Sequence, residues 1–159
     1  MPSGDGGWIT TDPESQAQWY SDRRAKVGAN LTPVVKLARR WNNVHSNRFK
    51  SYHLEVVVAN SFGTLGSNWR DALARFFEWA PSHIAVSDPA GHFGPLDTYL
   101  SATQLVAIRS RFSDASHRAT AALAAEARGD HAEAKRLWRI ELGDEFPRGL
   151  MGRRYAATP

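Results

Sequence analysis

The chain is 159 residues long, room for one domain of the usual size of about 100 to 200 residues and no more. At 42% hydrophobic, 11% aromatic and 23% charged, with six Trp and seven Phe, it carries enough large apolar groups for a globular core, which excludes a disordered chain. Zero Cys excludes a disulfide scaffold and any thiolate zinc site and makes a reducing cytoplasm the default compartment, while a net charge of +4 suits a polyanionic partner as well as an ordinary solvated surface.

The elements predicted along the chain are all helical. Residues 1–10 form a flexible lead with neither the basic start nor the apolar core of a secretory signal, and Trp8 is the first large side chain able to dock. Asp12, Pro13 and Glu14 are an N-cap, a first-turn proline and a first-turn acid, which predicts a helix running towards Gly28. Thr32 and Pro33 repeat the device, and Val34, Leu37, Ala38 and Trp41 then mark one buried face, with Lys36, Arg39 and Arg40 off it. Polar residues 42–47 break this second helix. Ser51 is the candidate cap of a third, through Ser61, although Val56, Val57 and Val58 also favour a strand. Trp69, Ala72, Leu73, Phe76, Phe77 and Ala80 give the strongest helical period in the chain, and Pro81 stops it.

Residues 81–100, with three Pro and two Gly, predict a structured loop. Leu105, Ile108, Phe112, Ala115, Ala119 and Ala122 trace a long narrow stripe to the turn at Gly129 and Asp130, its small residues suited to close helix packing. A last helix over 132–142 places Ala134, Leu137 and Trp138 inward before Gly143 and Pro147 close it. The expected architecture is therefore all-α, about five to six helices over residues 11–147, followed by a basic tail over 148–159. No stretch approaches the roughly 18 apolar residues of a membrane span.

The common catalytic signatures are missing. There is no phosphate-binding Gly-rich loop ending in Lys and Ser or Thr, no His-Glu-x-x-His, no Gly-x-Ser-x-Gly elbow and no Asp-x-Asp pair for two-metal chemistry. The six His are scattered without metal-ligand spacing. What stands out is a basic and polar group. Lys36, Arg39 and Arg40 lie within about a turn of one another, and Arg48, Lys50 and Ser51 gather at the start of the next helix. Helix N-termini offer unsatisfied N–H groups, Ser a hydroxyl and Arg a bidentate fork, so the group suits phosphate; a solvated helix face accounts for the pattern as well.

The same residues carry a resemblance. The run Pro33-Val34-Val35-Lys36-Leu37-Ala38-Arg39-Arg40-Trp41-Asn42, followed by Lys50-Ser51-Tyr52-His53-Leu54-Glu55, resembles the helical half of the cGAS/DncV-like nucleotidyltransferases, bacterial relatives of the oligoadenylate synthetases. Upstream, Gly6-Gly7-Trp8-Ile9-Thr10-Thr11-Asp12-Pro13 is similar to the segment after that family's catalytic palm. Downstream, Asp88-Pro89-Ala90-Gly91, the Ala-rich helix and Gly143-Asp144-Glu145-Phe146-Pro147 resemble its closing region, so the ordered set covers nearly the whole chain.

The resemblance implies an enzyme that converts nucleoside triphosphates with Mg²⁺ into cyclic or linear oligonucleotide messengers in anti-phage signalling, its nucleotides lying between a palm and this helical half. It implies triphosphate contacts at Arg39 and Ser51, with Lys36, Arg40 and Lys50 as electrostatic support, and it leaves Trp41 and Leu54 to the core. Arg39 departs from the family's Lys, replacing a compact ammonium with a planar fork. The palm, its Gly-Ser motif and its three metal-binding carboxylates have no counterpart here. The expectation is a cytoplasmic helical domain that holds no Mg²⁺ through ligands of its own and is inactive alone, being a truncated or split gene product or an excised fragment. Two other readings stay open: a stand-alone nucleotide or RNA binding module, and an interaction protein whose face at Trp8, Trp19 and Tyr20 docks onto a separate palm domain or a second copy.

Overall fold

A computed structural model describes residues 13–46, 49–91 and 94–144. The lead over 1–10, Asp12, Arg48, Pro147 and the basic tail over 148–159 lie outside those residues. Six α-helices follow in order: α1 (Pro13–Val27), α2 (Leu31–Val44), α3 (Ser51–Asn60), α4 (Trp69–Trp79), α5 (Ala102–Ala127) and α6 (His131–Leu142), with a 3₁₀ turn over Ala80–Ser82 after α4. Among the described residues the sole β-type pairing is an isolated antiparallel bridge between Ser87 and Pro95.

Local signals set most of the helix ends. Asn68 accepts the Asp71 N–H at the start of α4, Asp130 accepts the Glu133 N–H at the start of α6, and Ser101 with Gln104 closes a reciprocal capping box on α5. Two starts differ from the sequence expectation. Helix α2 begins at Leu31 behind an uncapping Asn30, so Thr32 and Pro33 lie inside its first turn, where a missing N–H costs nothing. At α3 the N-cap is Lys50, without a side-chain cap, and Ser51 is the first helical residue. Ser51 is thereby an exposed hydroxyl at the mouth of the helix and not its cap.

The valines at 56–58 resolve in favour of helix. Val56, Val57, Val58 and Ala59 are all fully buried, so the second half of α3 is apolar around its whole circumference because neighbours surround it. Tertiary burial overrides the strand preference of branched side chains here. The stripes read from α2 and α4 are the core: Val34, Leu37, Ala38 and Trp41 on one, Trp69, Ala72, Leu73, Phe76, Phe77 and Ala80 around the other. On α5, Phe112 stacks on Trp41 at 4.6 Å between centroids, and Ala115, Ala119, Ala122 and Ala125 form the small-residue face. Helix α5 packs along α4 and α6; α2 packs on α3, α4 and α6; α1 lies across α2 and α3. Each fully buried Leu or Phe adds about 1.5–3 kcal/mol relative to exposure.

Glycine is required at the end of α6, where Gly143 takes φ +91° and an added Cβ would meet Val44 Cγ2 at 3.3 Å and an Arg40 nitrogen at 3.5 Å. That close approach docks the end of α6 onto α2. The loop between the 3₁₀ turn and α5 is also tightly built. Asp88, 6% exposed, accepts hydrogen bonds from the Tyr52 hydroxyl and the Ala90 N–H, both at 2.8 Å. Trp19 and Tyr20, expected to be exposed, are partly buried: Trp19 meets Tyr52 edge-on and the Tyr20 hydroxyl bonds Thr32.

Candidate phosphate-binding site

The site forms where the outer flank of α2 faces the start of α3. Arg39 lies beside the buried stripe of α2, so its Cα is held by the packing of Ala38 and Trp41 while 43% of its side chain stays exposed. Its guanidinium donates to Glu55 Oε2 at 2.7 Å. Glu55 follows Ser51 by four residues on α3, one turn along the same face. Arg39 Nε is buried and has no partner among the described residues, leaving the fork with donor capacity beyond the Glu55 contact.

Glu55 is buried more than its partner, and its carboxyl is pushed above the ordinary value by that burial, against the pull of Arg39. The pair is therefore partly desolvated, and its geometry matters more than that of a surface bridge. Lys36, one turn before Arg39, is exposed and adds charge to the same flank of α2. Lys50 is exposed as well; its ammonium lies 4.9 Å from the centre of the Tyr99 ring.

Arg40 is placed elsewhere. It is turned about 100° around the helix from Arg39, and its Nε donates to the Leu142 carbonyl at the end of α6, so its charge serves the α2–α6 junction. The structure thus pairs Arg39 with Glu55, one turn along α3 from Ser51, engages Arg40 at α6, and leaves Lys36 and Lys50 exposed on α2 and at the start of α3. Arg48 is outside the described residues.

Three residues that pattern reasoning passed over shape this corner. Asn42, still helical in α2, pairs with the backbone of Phe49 in both directions: its Nδ2 donates to the carbonyl at 3.1 Å and its Oδ1 accepts the N–H at 3.2 Å. Tyr99, from the loop before α5, accepts the Lys50 N–H at 2.9 Å and bonds His53 at 2.7 Å. His53, fully buried, reaches the Ile84 carbonyl with Nε2 at 2.7 Å, and burial pushes its imidazole below the ordinary value. The one signal available in the sequence was a buried-face position for His53 next to Leu54.

A second buried polar group centres on α6. Glu141, its side chain 2% exposed, accepts from Trp41 Nε1 at 2.9 Å and Arg118 at 2.7 Å, with His45 Nε2 at 3.2 Å. It joins α2, α5 and α6.

The described residues do not fit a divalent cation. No group of three or more His, Asp or Glu able to hold a metal occurs among them, and the buried carboxylates are committed: Asp88 to Tyr52 and Ala90, Glu55 to Arg39, Glu141 to Trp41 and Arg118. A surface concavity of about 450 Å³ lies on α6 beside Lys135, Arg139 and Ile140, separate from the α2–α3 corner. No helix among the described residues is long and apolar enough to cross a membrane.

No protein-family model matches the chain. A probable cyclic nucleotide synthase of Bacillus cereus is 30% identical over 151 residues, covering 92% of this chain and 45% of that protein. A cyclic AMP-AMP-AMP synthase of an Acinetobacter species is 24% identical over 151 residues, covering 89% of this chain and 44% of that protein. The chain therefore spans less than half the length of these curated relatives. Among solved structures, the Vibrio cholerae di-nucleotide cyclase DncV, in complex with ATP and GTP, superposes with a TM-score of 0.74 at 18% identity, over 91% of this chain and 39% of that one. The helical fold is shared with it.

Proposed function

The chain is a relative of the cyclic nucleotide synthases, the cGAS/DncV-like nucleotidyltransferases, and on that premise we propose that it forms the helical wall of a nucleotide cleft and binds the triphosphate of a nucleotide at the α2–α3 corner. In this reading Arg39 is the principal phosphate contact, Ser51 donates its hydroxyl at the open start of α3, and Lys36 and Lys50 raise the local positive potential. Arg40, engaged at α6, is no part of it. The observation that carries the reading is the Arg39–Glu55 pair, which holds a half-exposed guanidinium against α3 at the residue one turn on from Ser51.

The proposed biological role is that of a bacterial synthase of oligonucleotide second messengers made from nucleoside triphosphates in defence against phage. These 159 residues would supply binding and orientation, and the metal-holding carboxylates would come from a palm outside them. A triphosphate ligand and a cysteine-free chain both suit the cytoplasm.

Titrating the full chain with ATP and with GTP tests the site. Arg39→Ala should weaken binding roughly 10- to 100-fold, the size of a charge-assisted hydrogen bond, and Ser51→Ala several-fold less. Unchanged affinity in Arg39→Ala would refute the assignment. Incubation of the chain alone with labelled triphosphates and Mg²⁺ or Mn²⁺ should give no oligonucleotide; product in that reaction would overturn the division of labour.

A further inference from the structure

The corner that carries the proposed subsite is tied down by a chain of hydrogen bonds whose direction is fixed by elimination. The Ile84 carbonyl only accepts, so His53 Nε2 must carry a proton and donate to it. In the neutral imidazole Nδ1 is then an acceptor, and the Tyr99 hydroxyl donates to it. The Tyr99 oxygen keeps a lone pair for the Lys50 N–H. The relay runs from Lys50 through Tyr99 and His53 to Ile84 without an alternative arrangement of protons. Burial keeps His53 neutral and the Tyr99 hydroxyl protonated, the states the relay needs.

Tyr99 acts on Lys50 twice. Its hydroxyl holds the backbone, and its ring lies 4.9 Å under the ammonium of the same residue. Asn42 of α2 clamps Phe49, the residue immediately before Lys50. Two elements therefore grip consecutive residues of the segment that leads into Ser51.

Resting on the reading of this corner as a triphosphate site, we infer that Tyr99 is a positioning residue: from the loop before α5 it sets the place of Lys50, and through it of Ser51, relative to Arg39. Without its hydroxyl the Lys50 N–H loses its partner, while Asn42 and the packing of Phe49 on His53 and Phe112 still hold the preceding residue, so Lys50 and Ser51 reach the phosphates through a wider spread of geometries.

The test uses the full chain with ATP as the probe. Tyr99→Phe keeps the ring and its contact with the ammonium and deletes the hydroxyl. It should stay cooperatively folded and bind ATP about fivefold more weakly, the effect of freeing the Lys50 N–H from its partner. A second measurement reads the wild-type chain itself. In wild-type chain labelled with ¹⁵N-histidine, the His53 ring signal, assigned by its loss in His53→Gln, should show the Nε2–H tautomer and should move when ATP is added. A wild-type chain that takes up no ATP overturns the subsite and the inference with it. If ATP binds but Tyr99→Phe binds it equally well, or the His53 signal does not respond, the inference falls and the subsite stands.

Discussion

His53 shows how one side chain binds stability to pH. Its buried imidazole titrates below the ordinary histidine value of about 6.5 because burial disfavours the charged form. In the window below about pH 6.5 the unfolded chain therefore binds more protons than the folded one, and the stability conferred by neutral His53 is lost as pH falls through that window. Asp97, whose charge opposes the shift, narrows the window without reversing it. Denaturant midpoints measured at pH 7.5 and pH 5.5 should differ in the wild type, the lower pH being less stable. In His53→Gln the difference should shrink, since that site no longer titrates; an undiminished difference would place the dependence on other groups. The Arg39–Glu55 pair and Arg40 teach a related lesson. Two adjacent arginines with the same chemistry are sent to different duties, one to the α3 face and one to the α6 carbonyl end, by 100° of helical rotation.

Between helices, the buried carboxylate of Glu141 is the main polar joint. It stands where a residue of α6 faces the core, next to Leu137 and Trp138 on the inward side, and is tolerated because the Trp41 N–H, Arg118 and His45 all converge on it. Removal strands the indole N–H in the core while half-exposed Arg118 regains water. Glu141→Ala should therefore cost about 2–4 kcal/mol, read as a lowered urea midpoint at unchanged slope. A loss below about 0.5 kcal/mol would mean that the joint is unimportant to α2, α5 and α6. Arg23 plays a comparable part for α1, donating to the carbonyls of Ala59 and Phe62 at and just beyond the end of α3. The helix-to-helix joints of this fold are thus largely side chain to backbone or side chain to buried carboxylate.

The described residues share one hydrophobic core running from Val27 on α1 to Leu142 on α6, with Trp41, Phe76, Phe77 and Phe112 at its centre. A single core with tryptophans on α1, α2, α4 and α6 should unfold in one step. Thermal or urea transitions followed by far-ultraviolet dichroism and by tryptophan fluorescence should coincide; separated midpoints would show that α1, which buries Val27 alone among its residues, comes away independently. What was legible beforehand follows from range. The faces of α2, α4 and α5, the Gly129 turn and the inward residues of α6 were readable because each depends on neighbours three or four positions away or on a terminal cap. The all-helical class and the basic corner followed from the same local signals, and the motif order added the family likeness. Only the tertiary structure could decide that Arg39 pairs with Glu55 16 residues on, that Arg40 turns to Leu142 102 residues on, that Tyr99 and His53 meet across 46 residues, and that a core carboxylate at 141 meets Trp41. Periodicity states which side of a helix is buried; which side chain waits on the facing helix depends on packing angles and register that no local spacing contains.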